Sequence, residues 1–305
     1  MTYAKSPPLK NLSQHTDSNG FRTDRGQGNR WHCITDKFEN AQGLVRHIIN
    51  NSRLDKRVCY ENVKKRKNSK SDIYCFHYPA KHSAALALLQ GKGGKLFFIT
   101  FYPRLNGGGN LITLRLMNIH PLENRIEAVL ECETINHKTP QKIYFFDTDY
   151  FYHKKHYNIG CIYPFELYAF CHTGEIVSQA ERIVVFSGIQ AEKWLHENHA
   201  RPEYDAEGCV KPIHLRTDRA VVYQHDKVYP DFLLFQSPVI SSERFRLMNT
   251  EMYRCLLPFY KKTDNEWELL PVFVRRDFLR FGISKGHPLR GMLTLQGRMV
   301  RKTEN

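Results

Sequence analysis

The 305-residue sequence contains no long apolar run. Its longest apolar stretches, such as 84–89 and 183–186, are far shorter than the roughly 18 residues that a membrane-spanning helix requires. The first twenty residues are polar and include no apolar segment of the kind found in secretory signals. We therefore expect a cytoplasmic protein with no transmembrane segment.

The sequence also lacks the motifs of several common catalytic and metal sites. No CxxC pair occurs among its eight cysteines, and no GxSxG segment presents a serine nucleophile. The stretch 196–199 (HENH) is one residue too short for the zinc-binding HExxH pattern. Residues 91–95 (GKGGK) lead from an expected helix to an expected strand, the reverse of a Walker loop. These absences predict reduced cysteines, no covalent catalysis and no cofactor.

Positive charge is what the sequence has in excess. It contains 45 Lys and Arg against 31 Asp and Glu, a formal net charge of +14. Residues 1–72 contain 15 basic and 7 acidic residues, so a net charge of +8 lies in the first quarter of the chain. A basic arm ahead of a less charged body is typical of proteins that bind a polyanion, most often nucleic acid.

The N-terminal quarter shows three different patterns. Residues 1–30 are polar, with almost no large apolar side chain, which predicts a disordered tail. Apolar residues at helical spacing then predict one amphipathic helix over 36–49. Residues 53–70 contain eight Lys and Arg, including the run 64–67, and this composition favours an exposed basic linker. A second short helix is expected at 80–90, where Ala and Leu are frequent.

From residue 95 onward the periodicity is mostly that of strands. Alternating or aromatic-rich segments predict strands at 95–102, 111–119, 126–134, 142–152, 165–171, 175–186, 220–224, 231–236, 251–260, 266–275 and 288–300. One helix is expected at 189–197. The predicted fold is mainly β (α+β): an antiparallel barrel- or sandwich-like β body with a few short helices and a disordered basic N-terminal arm.

These patterns suggest four regions. Residues 1–72 form a polar, basic N-terminal extension with one short helix, and 73–188 form a first antiparallel β unit. Residues 189–214 form a helical connection, and 215–305 form a second β unit. The two β units either fold separately or pack together as one domain.

One group of acidic residues has the composition of a metal site. Asp147 and Asp149 are two residues apart in the expected strand 142–152, so their side chains would share a face. Glu127, Glu131 and Glu133 share one face of the preceding strand. If the two faces coincide, the carboxylates would bind Mg²⁺ and support phosphodiester hydrolysis. The favoured alternative is that these are solvated outward positions of the sheet, or partners of nearby Lys and Arg.

Two segments interleave aromatic and basic residues, namely 151–157 (FYHKKHY) and 275–281 (RRDFLRF). Single-stranded nucleic acids bind to proteins through aromatic rings that stack on bases and through Lys and Arg that neutralise phosphates. The alternative for each segment is that its aromatic residues belong to the core. The residues predicted to contact phosphate are Arg53, Lys56, Arg57, Lys64, Lys65, Arg66, Lys67, Lys154, Lys155, Arg275 and Arg276.

The sequence therefore favours a cytoplasmic accessory protein that binds or processes nucleic acid, with the basic arm contacting the phosphate backbone. Two alternatives remain open: a metal-dependent nuclease that uses Asp147 and Asp149 with Mg²⁺, and an interaction module that docks an acidic partner. DNA and RNA are not distinguished at this level.

Overall fold

The structure is a computed structural model. It describes residues 31–34, 43, 47, 50–51, 53–61, 70–77, 83–92, 95–105, 107–135, 140–178, 183–197, 200–216, 220–226, 228–247, 250–263 and 266–300. For residues 53–99 it describes the backbone alone. The expected disordered tail 1–30 lies outside this set. Of the helix expected at 36–49, only residues 43 and 47 are described, and both are helical.

Sixteen strands and two short helices occupy the described residues. The strands are β1 (Arg53–Glu61), β2 (Lys70–His77), β3 (Ser83–Lys92), β4 (Lys95–Leu105), β5 (Asn110–Pro121), β6 (Ala128–Thr134), β7 (Lys142–Asp147), β8 (Ile162–Ile176), β9 (Ile183–Phe186), β10 (Ile213–Arg216), β11 (Val222–His225), β12 (Phe232–Pro238), β13 (Ser241–Leu247), β14 (Thr250–Lys261), β15 (Trp267–Arg275) and β16 (Pro288–Met299). The helices are α1 (Tyr150–His153) and α2 (Ile189–Glu197), and a 3₁₀ helix spans Arg276–Phe278. Neither helix is long and apolar enough to cross a membrane.

Five strands close a barrel, which confirms the mainly β fold expected from the sequence. Around the barrel the order is β5, β6, β7, β16 and β8, and β8 returns to β5. Neighbouring strands are antiparallel except for β7 and β16, which are parallel and meet where Phe146 lies opposite Gln296. Closure leaves these five strands without a free edge in the ring.

Two of the barrel strands, β8 and β16, also carry the remaining strands of a ten-stranded sheet. β15 pairs in parallel with β8 and is followed outward by β14 and β13, while β12 and β11 extend from β16. Strands from both predicted β units therefore share one sheet. β1–β4 form a separate four-stranded antiparallel sheet, and β9 and β10 form a two-stranded one.

The core has two parts, which lie on opposite faces of β8. Leu167 and Ala169 belong to a large cluster that fills the barrel and continues beneath β12, β14 and β15. Tyr168 and Phe170 face the other way and belong to a second cluster with Trp31 and residues of β4, β14 and β15. β8 is thus buried on both sides, which explains its nearly continuous apolar sequence.

The segment 172–174, expected as a turn between two strands, lies inside the single 15-residue strand β8. The register passes from Cys171 opposite Leu293 to Thr173 opposite Met292, so His172 is an extra residue in the ladder. Such a β-bulge keeps a strand paired while bending it. The expectation of two separate strands was wrong because a bulge, like a turn, contains small and polar residues such as those at 172–174.

Three other expectations from local sequence were also wrong. Residues 80–90 were expected to form a helix, but residues from Ser83 onward form β3, which pairs with β2 and β4 on either side. The Ala and Leu content favours a helix only weakly, and pairing on both edges outweighs it. The expected linker 53–70 instead includes β1. The expected strand 142–152 ends at Asp147.

The glycine-rich stretch 91–95 connects β3 with β4. Lys92 lies opposite Lys95, so the two strands form a hairpin and not a phosphate-binding loop. The helix expected at 189–197 is confirmed as α2. Strands β10 and β13 were not expected from the sequence.

The close packing of β16 on β8 can be tested at Gly291. A methyl group at this position would lie 1.9 Å from the backbone oxygen of Thr173, so the two strands must separate to admit it. We expect Gly291→Ala to lower the free energy of unfolding by about 2–3 kcal/mol in urea denaturation.

Gly282→Ala is the matched control, because its methyl group would make an ordinary contact at 3.4 Å. We expect it to change the free energy of unfolding by less than about 0.5 kcal/mol. Equal losses in the two variants would contradict the close approach of β8 and β16.

Candidate functional site

Asp147 ends β7 with its side chain on the inner face of the barrel. The Tyr157 hydroxyl donates a hydrogen bond to its Oδ2 at 2.5 Å, and the backbone N–H of Asp149 donates to its Oδ1 at 2.9 Å. Asp147 is buried, and burial raises the pKa of its carboxyl group to about 7. Near neutral pH this group therefore exchanges a proton while held by two protein donors.

Asp149 follows the end of β7 and precedes α1, so it does not continue the strand face of Asp147. The Arg104 Nη2 donates to its Oδ2 at 2.8 Å, and both side chains are buried. Burial opposes the charge on Arg104, yet the Asp149 carboxylate keeps the pKa of the guanidinium above its ordinary value. The Asp149 Oδ1 is buried with no hydrogen-bond partner in the described part of the chain.

The glutamates do not join these aspartates. Asp147 follows the inward-facing Ile143 and Phe145 at strand spacing, whereas Glu131 and Glu133 lie on the outer face of the neighbouring strand. The condition for a shared carboxylate cluster is therefore not met. Within the ranges that the structure describes, no group of three His, Cys, Asp or Glu side chains is arranged to hold a metal ion.

Glu131 has its own partners on the outer face. Lys142 Nζ donates to its Oε1 at 2.9 Å, and His120 Nε2 lies 3.3 Å from its Oε2. Burial opposes the charge of Glu131, but the hydrogen bonds from Lys142 and His120 hold its pKa below the ordinary value. The pairing of Glu131 with Lys142 agrees with the alternative in which these carboxylates are partners of nearby Lys and Arg.

Hydrogen bonds to Glu127, Thr148 and Asp149 attach β4 to the barrel. The three donors are side chains at alternate positions of β4. Thr100 donates to Glu127 at 3.2 Å, Tyr102 donates to the Thr148 carbonyl at 2.9 Å, and Arg104 donates to Asp149. The period-two spacing of these residues was visible in the sequence, but their partners were not. In this arrangement Asp149 has a structural contact with β4.

The aromatic residues at the two ends of segment 151–157 belong to the protein interior. Phe151 and Tyr157 are buried, and Tyr157 stacks on Tyr150 with ring centroids 6.3 Å apart. Lys154 is half-buried and Lys155 is exposed. For these two aromatic rings the core alternative is the one that the structure supports, and Lys155 is the more exposed of the two lysines.

Segment 275–281 divides into a buried and an exposed part. Arg275 is buried: its guanidinium donates to Asp277, donates to the His32 carbonyl at 2.8 Å and lies 4.8 Å from the centre of the Phe278 ring. Arg275 was predicted to contact phosphate, but these contacts enclose its charge within the protein. Arg276 is half-buried and donates to the Leu279 carbonyl at 3.0 Å.

The loop that follows presents one aromatic ring to solvent. Leu279 and Ile283 are buried, whereas Phe281 between them is 72% exposed. Ser242 Oγ donates to the Ile283 carbonyl at 3.1 Å, and the Gly286 N–H donates to the Val239 carbonyl at 2.7 Å. The loop is therefore held at several points, and Phe281 projects from a supported backbone.

Arginines from two parts of the chain lie on or beside the loop that carries this ring. Arg280 is adjacent and exposed, and Arg244 on β13 lies 5.4 Å from the centre of the Tyr253 ring. A methyl group at Gly282 would be 3.7 Å from Arg244 Nη2, which places this guanidinium next to the loop. Arg246 is exposed two residues farther along β13. We refer to Phe281 with Arg244, Arg246, Arg276 and Arg280 as the Phe281 face.

The Phe281 face is predominantly basic. Residues 275–287 contain four Lys and Arg and one acidic residue. Arg244 Nη1 lies 3.9 Å from Glu251, but both side chains are largely exposed, so this pair restrains the guanidinium only weakly. Sequence reasoning found the segment, but not the arginines that β13 adds to it.

The other seven residues predicted to contact phosphate lie on β1 or outside the described residues. Arg53, Lys56 and Arg57 lie on β1, for which the backbone alone is described. Lys64, Lys65, Arg66 and Lys67 lie outside the described residues. The side chains of six of the eight cysteines are described, and all six are free thiols.

Comparisons of this chain with protein-family models, with curated proteins and with solved structures find no match.

The elevated pKa of Asp147 predicts a specific dependence of stability on pH. Between its ordinary pKa of 3.8 and about 7, the folded chain retains a proton that the unfolded chain has lost. Raising the pH through this window therefore lowers the free energy of unfolding, by at most about 1.4 kcal/mol per pH unit. We expect Asp147→Asn to remove this contribution, so that the variant gains stability relative to the natural chain as the pH rises.

Urea denaturation across the same pH window measures the effect. Glu207→Gln is the control, because Glu207 is exposed and its removal should leave the pH dependence unchanged. An Asp147→Asn profile parallel to that of the natural chain would contradict a buried carboxyl group with a raised pKa.

The buried state of Arg275 predicts that it contributes to stability. Arg275→Ala removes charged hydrogen bonds to Asp277 and to the His32 carbonyl, so we expect a loss of about 2 kcal/mol in the free energy of unfolding. Arg280→Ala removes an exposed side chain and should change it by less than about 0.5 kcal/mol. Thermal and urea denaturation compare the two variants, and equal effects would show that Arg275 is not a structural contact.

Proposed function

We propose that this protein binds nucleic acid through the Phe281 face. The observation that carries the proposal is the 72% exposure of Phe281 on a supported loop, with arginines from that loop and from β13 around it. An exposed ring provides a surface for base stacking, and the guanidinium groups neutralise phosphates. Stacking a base on the exposed ring removes apolar area from water, which favours binding.

The position of the N-terminal chain supports the same partner. His32 accepts a hydrogen bond from Arg275, and Arg275 immediately precedes the 3₁₀ helix that leads into the Phe281 loop. The chain before Trp31 therefore joins the body close to the start of this loop. Residues 1–30 contain five basic and two acidic residues. In the proposal they add phosphate contacts, as do the basic residues of 53–70.

Binding of this kind is driven largely by the release of counterions from the phosphate backbone and therefore weakens as salt increases. The proposal retains the cytoplasmic setting expected from the sequence, with its thiols reduced. The nuclease alternative gains no supporting observation, because Asp147 and Asp149 each bond protein groups. An acidic protein partner would use the same positive charge, and the test below separates it from nucleic acid.

The test is a fluorescence anisotropy titration of labelled DNA and RNA oligonucleotides at several salt concentrations. We expect the logarithm of the binding constant to fall linearly with the logarithm of salt concentration. Arg280→Ala should weaken binding and reduce the magnitude of this slope by roughly 0.7 to 1. Its matched control is Arg201→Ala, which removes an exposed arginine outside the Phe281 face.

Two results would overturn the proposal. One is the absence of binding by the natural chain at low salt, which would leave an acidic protein as the candidate partner. The other is an equal loss of affinity in the Arg280→Ala and Arg201→Ala variants. Repeating the titration with Mg²⁺ and examining the oligonucleotides on a gel tests the nuclease alternative, because cleavage that disappears in Asp147→Asn would support it.

A further inference from the structure

We infer that the Phe281 face selects single-stranded nucleic acid by stacking one unpaired base on the ring of Phe281. The inference rests on the proposed function and adds the class of nucleic acid to it. It follows from the way the ring is exposed, supported and surrounded by charge.

Phe281 stands apart from the other aromatic residues. Among the described Phe, Tyr and Trp side chains, only Phe281 and Tyr204 are more than half exposed, at 72% and 57%. Tyr204 lies between Glu203 and Asp205, whose charges repel phosphate. Phe281 instead follows Arg280 and precedes Gly282, where an added methyl group would lie 3.7 Å from Arg244 Nη2. Of the two exposed rings, Phe281 is therefore the one surrounded by the charge that a nucleic acid requires.

The backbone on both sides of Phe281 is fixed before any ligand binds. Leu279 and Ile283 are buried on either side of it, and Ser242 bonds the Ile283 carbonyl. Val239 accepts a hydrogen bond from Gly286 and donates one to the His287 carbonyl at 2.9 Å. Because the loop is already ordered, stacking a base on the ring carries little additional conformational entropy cost from the backbone.

A single strand matches this surface better than a duplex does. In a duplex both faces of each base are covered by neighbours, so a ring reaches a base face only after a costly unstacking step. In a single strand the base faces are accessible, and stacking on an aromatic ring is favourable for every base. Arg280 belongs to the loop and Arg244 to β13, so positive charge for the phosphates next to the stacked base comes from two elements.

The two helices that are described over their whole length, α1 and α2, offer no alternative duplex reader. α1 has four residues, and α2 contains Glu192 and Glu197 with a single Lys193. Neither helix therefore has the basic face that would enter the major groove of DNA. Basic residues and an exposed ring meet instead on the Phe281 face.

The experiment compares a single-stranded oligonucleotide with a duplex of the same length and sequence at one low salt concentration. We expect the natural chain to bind the single strand more tightly. Phe281→Ala should weaken single-strand binding roughly 5- to 100-fold. It should change duplex binding little, because duplex binding in this proposal uses the arginines alone. Phe281→Trp should retain single-strand binding, since tryptophan also stacks.

Tyr204→Ala is the matched control, because it removes the other exposed aromatic ring. We expect it to leave both affinities unchanged. A second readout uses a single strand in which 2-aminopurine replaces one base, since its fluorescence falls when it stacks on a ring. We expect this fluorescence to fall on binding to the natural chain, and to fall less on binding to Phe281→Ala at saturation.

The outcomes separate the inference from the proposed function. Equal affinity for single strand and duplex, or an equal loss of both in Phe281→Ala, overturns the single-strand inference while nucleic-acid binding stands. Absence of binding to either form overturns both. A selective loss of single-strand binding in Phe281→Ala, with Tyr204→Ala unchanged, supports both.

Discussion

The pairing of β8 with β16 is the constraint on which the rest of the structure depends. The two strands remain in register from Leu289 opposite Ile176 to Met299 opposite Phe165, with one bulge at His172. Ion pairs cross this ladder near its ends, from Arg290 to Glu175 at 2.6 Å and from Arg298 to Glu166 at 2.7 Å. Because each strand also pairs with others on both sides, their ladder connects the barrel to every additional strand of the large sheet.

The candidate site is placed by the same pairing. β8 positions β15, and β15 leads directly into Arg275 and the 3₁₀ helix before the Phe281 loop. β14 and β13 follow outward from β15 and bring Arg244 next to Gly282 of that loop. An exposed loop is thus held by contacts within a sheet whose own strands are largely buried. This is a common arrangement, in which a rigid scaffold presents a binding loop.

Sequence reasoning was most successful where the information is local. The alternation of 126–134 and the aromatic and aliphatic runs of β14 and β15 correctly predicted strands, because burial on one or both faces leaves its pattern in each strand. It failed where a partner distant in sequence decides the outcome. β3 is a strand because β2 and β4 pair with it, and residues 172–174 remain extended because β16 lies opposite.

The site was predictable to a smaller extent for the same reason. The basic and aromatic composition of 275–281 is visible in the sequence, but which of its members are buried is not. Leu279, Phe281 and Ile283 alternate as if they shared one face, yet Phe281 alone is exposed because the loop is not part of a strand. The carboxylate of Asp147 was expected on a solvated face, whereas closure of the barrel encloses it beside Tyr157.

The position of β16 in the barrel has a consequence for how the protein folds. β5, β6, β7 and β8 are complete by residue 176, but the ring closes only when β16, at 288–299, pairs with both β7 and β8. During synthesis, more than one hundred residues must therefore be added while β7 and β8 still have open edges. Closing so large a loop favours slow folding. Those two edges are the places where a newly made chain is most exposed to pairing with another chain.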